Sequence, residues 1–335
     1  MILCLHAPDR ARLELLRASA DLRLSEAPWA GQFGEVQRLY FGVGFCQHLI
    51  ASPDDAVAAA ELARERGWGL SLVTSYVTDE FLLRTDAIVA ALVAADAPDL
   101  EVVVDDWGVL RRVRARYPSA RLVLGRGLNR MVRDPRVPDT GPEHLGGDDV
   151  PQSWRGSSLG SSSFRALLRK LGVSRGEADV PLQGLTAGGT GEPPSPSPIA
   201  AMPTAVHLPY GMIATGRICM VSAYGKPPSV RFIPPLACDA PCRDTTLTLR
   251  APWSKRQAGA EAVPVSQGAF IPLTKLLNRR RNELPPADED DAPRFIQKGN
   301  THFYELTGER LEAAIAWARD EPSVDRVVVE IDLPM

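Results

Sequence analysis

The chain has 335 residues, 44% hydrophobic and 24% charged, with a formal net charge of -3. These are the proportions of a folded globular protein, which excludes wholesale disorder and gives no support to a nucleic-acid partner held by bulk charge. No apolar run reaches the roughly 18–20 residues that span a bilayer, and Met1–Leu5 is followed by His6, Pro8, Asp9 and Arg10 without the basic and long apolar regions of a signal peptide. The expectation is a cytoplasmic protein with no membrane partner.

In chain order, Met1–Leu5 opens an apolar N-terminal strand that contains Cys4. Arg38–Phe45 reads as a strand ending at Cys46, and Ala56–Arg66 as an alanine-rich helix with Ser52-Pro53-Asp54 as its cap. Leu70–Val77 predicts a strand, Asp79–Ala94 a helix capped by Thr78 or Asp79, and Leu100–Val104 a wholly apolar strand closed by Asp105-Asp106-Trp107-Gly108. A helix over Val109–Tyr117, a strand over Ala120–Gly125, a helix over Ser163–Leu171 and a short strand over Gly176–Val180 follow. The last ordered segments are His207–Cys219, Arg294–Leu306, a helix over Glu309–Arg319 and a strand over Arg326–Ile331.

Strands that are apolar throughout and alternate with helices predict a parallel sheet covered on both faces. No glycine-rich phosphate loop follows any of them. The fold expected is therefore α/β and TIM-barrel-like, complete or irregular, as a single barrel-like domain over 1–335. Three segments rich in Gly, Pro, Ser or charge, 135–162, 186–203 and 257–293, read as surface insertions. The Arg279-Arg280-Arg281 run in the third reads as a solvated loop, its charge offset by the acidic run at Asp288.

Barrel chemistry gathers at the C-terminal ends of strands, which here carry Cys46, Thr74-Ser75-Tyr76, Asp105-Asp106-Trp107, and Arg126 with Asn129, Arg130 and Arg133. Arginine pairs with carboxylates through its planar fork, so Arg126 and Asn129 are candidate ligands for a carboxylate substrate. Arg130 and Arg133 fit a solvated helix face. Asp106 either orients a substrate or caps the following helix. His207 and Tyr210 lie just before the Cys219 segment; a histidine in an apolar run is more often a hydrogen-bonded core group than a catalyst. His48 lies two residues after Cys46, within reach of a metal centre there.

Five cysteines are too few, and an odd number, for a secreted disulfide framework. Cys238 and Cys242 form a Cys-Asp-Ala-Pro-Cys loop that prolines keep out of regular helix, while Cys219 and Cys46 each end an ordered stretch. Four thiolates suit zinc or an iron–sulfur cluster equally well by ligand type. Free cysteines also serve simply as small buried hydrophobes, the reading that fits Cys4.

Tyr40-Phe41-Gly42 leading to Cys46, Asp106-Trp107-Gly108, Gly125-Arg126-Gly127-Leu128-Asn129-Arg130, Tyr210-Gly211 before Thr215-Gly216-Arg217-Ile218-Cys219, and the Cys238/Cys242 pair together resemble the peptidase U32 (collagenase-like) family. The likeness is to its short iron–sulfur members of the ubiquinone-hydroxylation type, over roughly 36–133 and 160–245. It implies a 4Fe-4S cluster held by Cys46, Cys219, Cys238 and Cys242, with no counterpart for Cys4. It further implies oxygen-independent hydroxylation of a small molecule or RNA base, prephenate as hydroxyl donor, and a homologous partner subunit in a heterodimer. Arg126, Asn129 and Asp106 are then the candidate catalytic residues. A non-catalytic iron–sulfur subunit is the alternative, and a peptidase built on Cys46 and His48 a third reading, which leaves the other cysteines unexplained. The proline-rich interval between Cys219 and Cys238 and the insertion before the cluster region depart from the family pattern, which bears on the substrate.

Overall fold

The computed structural model describes residues 1–133, 156–181, 202–234, 237–249, 277–280 and 294–335. Eight parallel strands close into a ring: β1 (Ile2–Ala7), β2 (Val36–Gly42), β3 (Gly69–Val73), β4 (Glu101–Val104), β5 (Arg121–Leu124), β6 (Val173–Asp179), β7 (Thr204–Leu208) and, against β1, β13 (Val324–Val329). The expected TIM-barrel-like architecture is thus the one observed. The helices α1 (Arg10–Ser25), α2 (Pro53–Arg66), α3 (Asp79–Ala94), α4 (Trp107–Arg116), α5 (Ser162–Lys170) and α8 (Gly308–Asp320) accompany the strands, and their apolar faces share one buried core with the outward residues of the barrel. Among the described residues no helix is long and apolar enough to cross a membrane.

Local chemistry sets the element ends. Ser52 and Asp55 form a reciprocal capping box, Pro53 starts α2, and Gly67 in the left-handed region ends it. The helix therefore begins three residues before its alanine period. The strand expected over 38–45 ends at Gly42, whose φ of +108° suits glycine. A Cβ there would lie 2.6 Å from the Val73 carbonyl oxygen, so the chain leaves the barrel wall at this point. The segment to Cys46 becomes a loop over the barrel mouth. The strand expected over 70–77 likewise stops at Val73.

The sequence reading missed a second sheet. Between β7 and α8 the chain forms β8 (Tyr210–Thr215), two one-turn helices α6 (Met220–Ala223) and α7 (Pro228–Arg231), β9 (Thr246–Leu249), β10 (Leu277–Arg280), β11 (Arg294–Lys298) and β12 (Thr301–Glu305). These five strands are antiparallel in the order β10-β9-β11-β12-β8. Thr246–Leu249 and Leu277–Arg280 are only four residues long, too short for a period-2 signal to announce them. Part of the arginine run expected in a loop is therefore strand: Arg279 and Arg280 pair with Leu247 and Thr246. Residues 134–155, 182–201 and most of 257–293, where the insertions were expected, lie outside the described residues.

The inside of the barrel is layered. Cys4, Tyr40, Val103, Val123, Ala205 and Val328 make an apolar middle. Two residues back along several strands lies a buried ionic layer, in which Arg326 donates to Glu101 at 2.7 Å and to the Tyr40 hydroxyl at 3.0 Å. Burial opposes ionisation of Glu101, yet Arg326, Arg38 and the Ser71 hydroxyl hold its carboxyl down to about 2. Two residues forward, toward the C-terminal ends, the lining turns ionic again.

Candidate functional site

The four candidate ligand cysteines come together at the C-terminal mouth. Cys46 follows β2 and starts a one-turn 3-10 helix. Cys219 caps α6, and Cys238 and Cys242 flank Ala240, which holds the left-handed conformation. Cys242 is buried in an apolar pocket with Val43, Leu49, Val221, Ala240 and Leu247, and Cys46, Cys219 and Met335 pack against it. All four thiols are free. They are near enough to act on one another electrostatically: Cys46 feels Cys219 and Cys238, and Cys242 feels the other three.

Burial first, and this mutual repulsion second, push the thiols up, Cys46 to about 11 and Cys242 to about 12. A cationic centre reverses that bias by deprotonating the sulfurs it binds. Backbone N–H groups are already turned toward the sulfurs. Ser222 donates to Cys219 Sγ at 3.3 Å and Ala240 to Cys238 Sγ at 3.4 Å, and the amides of His48 and Leu49 favour the thiolate of Cys46. Such bonds lower the cost of thiolate charge and tune cluster potentials.

Among the described residues, no group of three or more His, Cys, Asp or Glu side chains is placed to hold a metal ion. The donor type, soft sulfurs with amide N–H groups facing two of them, is one that zinc and iron–sulfur centres share. Cys4 stands apart from this group, fully buried in the middle layer of the barrel, where burial raises its thiol to about 12.

The insertion is fastened to the barrel beside this pocket. Asn300 donates to the Phe45 carbonyl at 2.7 Å and to that of Gly216 at 2.6 Å, and the Tyr76 hydroxyl donates to the same Gly216 oxygen at 2.6 Å. Phe45 meets Phe303 edge to face, centroids 5.5 Å apart. Thr74 donates its hydroxyl to the Val103 carbonyl, and Ser75 to that of Tyr76. The His48 ring packs edge-on against Phe81 of α3, centroids 5.1 Å apart; His48 reaches the pocket through its backbone amide.

Arg126 points into the barrel top and is buried. Its guanidinium donates to Asp179 at 3.1 Å and to Glu330 at 3.2 Å, and lies 5.1 Å from the Phe45 ring centroid. With both carboxylates its own, it is not free to take a substrate carboxylate. Asp106 is the cap of α4, accepting from the amides of Gly108 at 2.6 Å and Val109 at 3.2 Å. Asn129 is buried and donates to the Glu177 carbonyl at 2.9 Å, while its own oxygen accepts from Ser158. Arg130 is exposed. Arg133, expected on a solvated face, instead reaches back to Asp179 at 2.7 Å. The buried Tyr210 accepts from Arg126 at its carbonyl oxygen.

Around Arg126 stand Asp105, one of the strand-end residues expected there, and four residues that the sequence reading did not single out: His6, Glu177, Asp179 and Glu330. His207, singled out, stands among them as a hydrogen-bonded core group. Glu330 accepts from His207 Nδ1 at 2.7 Å and also pairs with His6 Nδ1. Burial works against the charge of Glu330 and Asp179, but the histidines on one and Arg133 with Arg126 on the other hold both carboxyls below the usual range. The available signal was a carboxylate in an otherwise apolar strand, as in Val327-Val328-Val329-Glu330.

Asp105 differs. It is buried, lies near Glu177, and accepts from the Gly127 amide at 2.6 Å. Burial and then Glu177 push its carboxyl up to about 7. A carboxyl raised above its unfolded value favours the fold when protonated, so its contribution to stability falls as pH rises from about 4 to 7. Asp105→Asn keeps an acceptor for Gly127 and removes the charge. We expect it to leave stability unchanged near pH 4 and to raise it by about 2–4 kcal/mol above pH 7, measured by urea unfolding across pH.

A cleft of about 830 Å³ opens beside the thiol pocket and shares Val43, Leu49 and Met335 with it. Its charged lining is mixed, four cations including Arg243 and Lys298 against five carboxylates including Asp244 and Asp332. Lys298 is buried, donates to the Arg243 carbonyl at 3.2 Å and to the Thr246 hydroxyl at 3.4 Å, and feels Asp244 and Asp332. A cleft of this size accommodates a small organic ligand.

No model of a known protein family matches the chain, no curated protein matches it, and no solved structure matches it.

Proposed function

We propose that the protein carries a 4Fe-4S cluster on Cys46, Cys219, Cys238 and Cys242 and takes part in an oxygen-independent hydroxylation, as its resemblance to the short iron–sulfur members of the U32 family implies. The observation that carries this reading is the meeting of Cys46, from the second βα unit, with Cys219 and Cys242 from the seventh in one apolar pocket, Cys238 lying near enough to act on Cys46 and Cys242 and amides facing the sulfurs of Cys219 and Cys238. Core thiols scattered by chance have no reason to converge at the barrel mouth, where chemistry on this fold resides. The cluster, when bound, supplies electron or Lewis-acid chemistry. The chain's own residues supply the rest: Asn300 and Tyr76 fix the antiparallel sheet over the mouth, and the adjoining cleft, of mixed charge with Lys298 and Arg243 among its cations, would take a small polar substrate such as prephenate.

A role as one subunit of a pair has separate support. Ile218, Tyr224, Val230, Phe232 and Ile233 are all exposed among the described residues, within one short stretch beginning beside Cys219. Apolar surface concentrated in this way is typical of a partner-binding face. The same surface suits a non-catalytic iron–sulfur subunit in a cytoplasmic assembly.

Anaerobic purification with iron and sulfide analysis tests the cluster, and incubation of the loaded protein with prephenate tests turnover. The expected result is a brown protein with about four iron and four sulfide per chain. A protein that stays iron-free after reconstitution overturns the cluster. Full loading with no consumption of prephenate, alone or with a homologous subunit, turns the reading to the non-catalytic one.

A further inference from the structure

The ionic layer at the top of the barrel lines a small cavity of about 10 Å³, walled by His6, Asp105, Arg126, Glu177, His207 and Glu330 and bounded by Phe45 and Pro334. That is about the space of one water molecule. Two polar atoms on its wall, Glu177 Oε1 and His207 Nε2, are buried without a hydrogen-bond partner. Glu177 Oε2 lies 3.3 Å from His207 Nε2. Both residues are more than nine-tenths buried. Native interiors seldom leave two such atoms unsatisfied side by side, and a polar hole of this size with several partners is where a water resides.

Charge and hydrogen bonding constrain the protons. Among the described residues around the cavity, the carboxyls of Asp105, Glu177, Asp179 and Glu330 outnumber the guanidinium groups of Arg126 and Arg133, and a buried excess of negative charge is costly. His6 Nε2 meets the Gly42 carbonyl at 2.8 Å, which can only accept, while its Nδ1 meets Glu330. A proton is therefore held between His6 and Glu330. His207 likewise has a carboxylate toward each nitrogen, Glu330 at 2.7 Å and Glu177 at 3.3 Å. Tyr40 meets its ring edge-on, centroids 6.1 Å apart. Burial and Arg126 disfavour the imidazolium, but Glu177 and Glu330 outweigh them and raise His207 above its ordinary value.

We infer that the top of the barrel axis is a second functional centre, a proton-exchange site in which one water molecule is held between Glu177 and His207, with His207 as an imidazolium. The water accepts from His207 Nε2–H and donates to Glu177 Oε1, and Asp105 is the next carboxyl on the wall. The centre stands independently of any metal in the thiol pocket. The two are neighbours nonetheless, because Gly44 and Phe45 wall the cavity immediately before Cys46 and Tyr76 feels both Asp105 and Cys46.

Two measurements on the intact chain test this. A crystal structure at about 1.2 Å or better is expected to show one water within hydrogen-bond distance of Glu177 Oε1 and His207 Nε2. Nitrogen NMR of histidine-labelled protein near pH 7 is expected to show both His207 ring nitrogens protonated, with Glu177→Gln moving its titration midpoint down by about one unit. A dry cavity with Glu177 hydrogen-bonded directly to His207 overturns the inference, as does a neutral His207 beside a divalent cation. If Glu177→Gln fails to fold, the density and spectrum of the wild-type protein decide alone.

Discussion

Cys242→Ser is expected to abolish cluster loading, taking iron from about four per chain to a trace, and Cys238→Ser to do the same. Cys242 is the most buried of the four and feels the other three sulfurs, so a hydroxyl in its place removes the soft ligand at the centre of the group. The control is Cys4→Ser, which is expected to leave iron content unchanged while destabilising the fold by about 1–3 kcal/mol, because a hydroxyl then sits in an apolar layer without an assigned partner. Iron and sulfide analysis after anaerobic reconstitution, beside a urea titration of each variant, reads both effects. Equal loading of Cys242→Ser and wild type removes the thiol pocket from the reading altogether.

The second large effect is on stability. Arg126→Met retains the bulk beside Phe45 but strips a cation from Asp179 and Glu330, and removing one partner from a buried ionic group costs about 3–5 kcal/mol. Both carboxyls are held below their unfolded values, so their stabilisation is present above about pH 4 and is lost as pH falls further. The deficit of Arg126→Met is therefore largest at neutral pH and shrinks in acid, where protonated carboxyls need no counter-charge. Urea unfolding at pH 7 and near pH 3.5 distinguishes this from a simple packing defect, which is indifferent to pH.

The barrel was legible because its outer faces obey simple rules. Apolar strands, an alanine stripe on α2 with its capping box, and Asp106 ahead of α4 are local signals that the fold does not override. The antiparallel sheet was not legible because its pairings join segments far apart in the chain, such as Thr215 to Thr301, and two of its strands are only four residues long. The cysteine grouping could be read from residue type and order, whereas its neighbours could not. Asp105 and Asp106 are adjacent and chemically alike, yet pleating sends one into the barrel and leaves the other to cap a helix. Arg126 was found by its place at a strand end, but its carboxylate partners come from β6 and from beyond β13, a closure that only the ring of strands reveals.

Cys46 and Cys219 are 173 positions apart, and the ring that brings them together is completed only by β13. During synthesis, the first sulfur therefore waits while most of the barrel is made, and contacts of such long range form late. If the proposed cluster is carried here, its assembly belongs after translation. Its binding free energy would then act as a clasp between antiparallel sheet and barrel, since ligands from two units would contribute to one stabilising event. Without it, the barrel would stand on its own contacts, and the one-turn helix that Cys219 caps would be held more loosely.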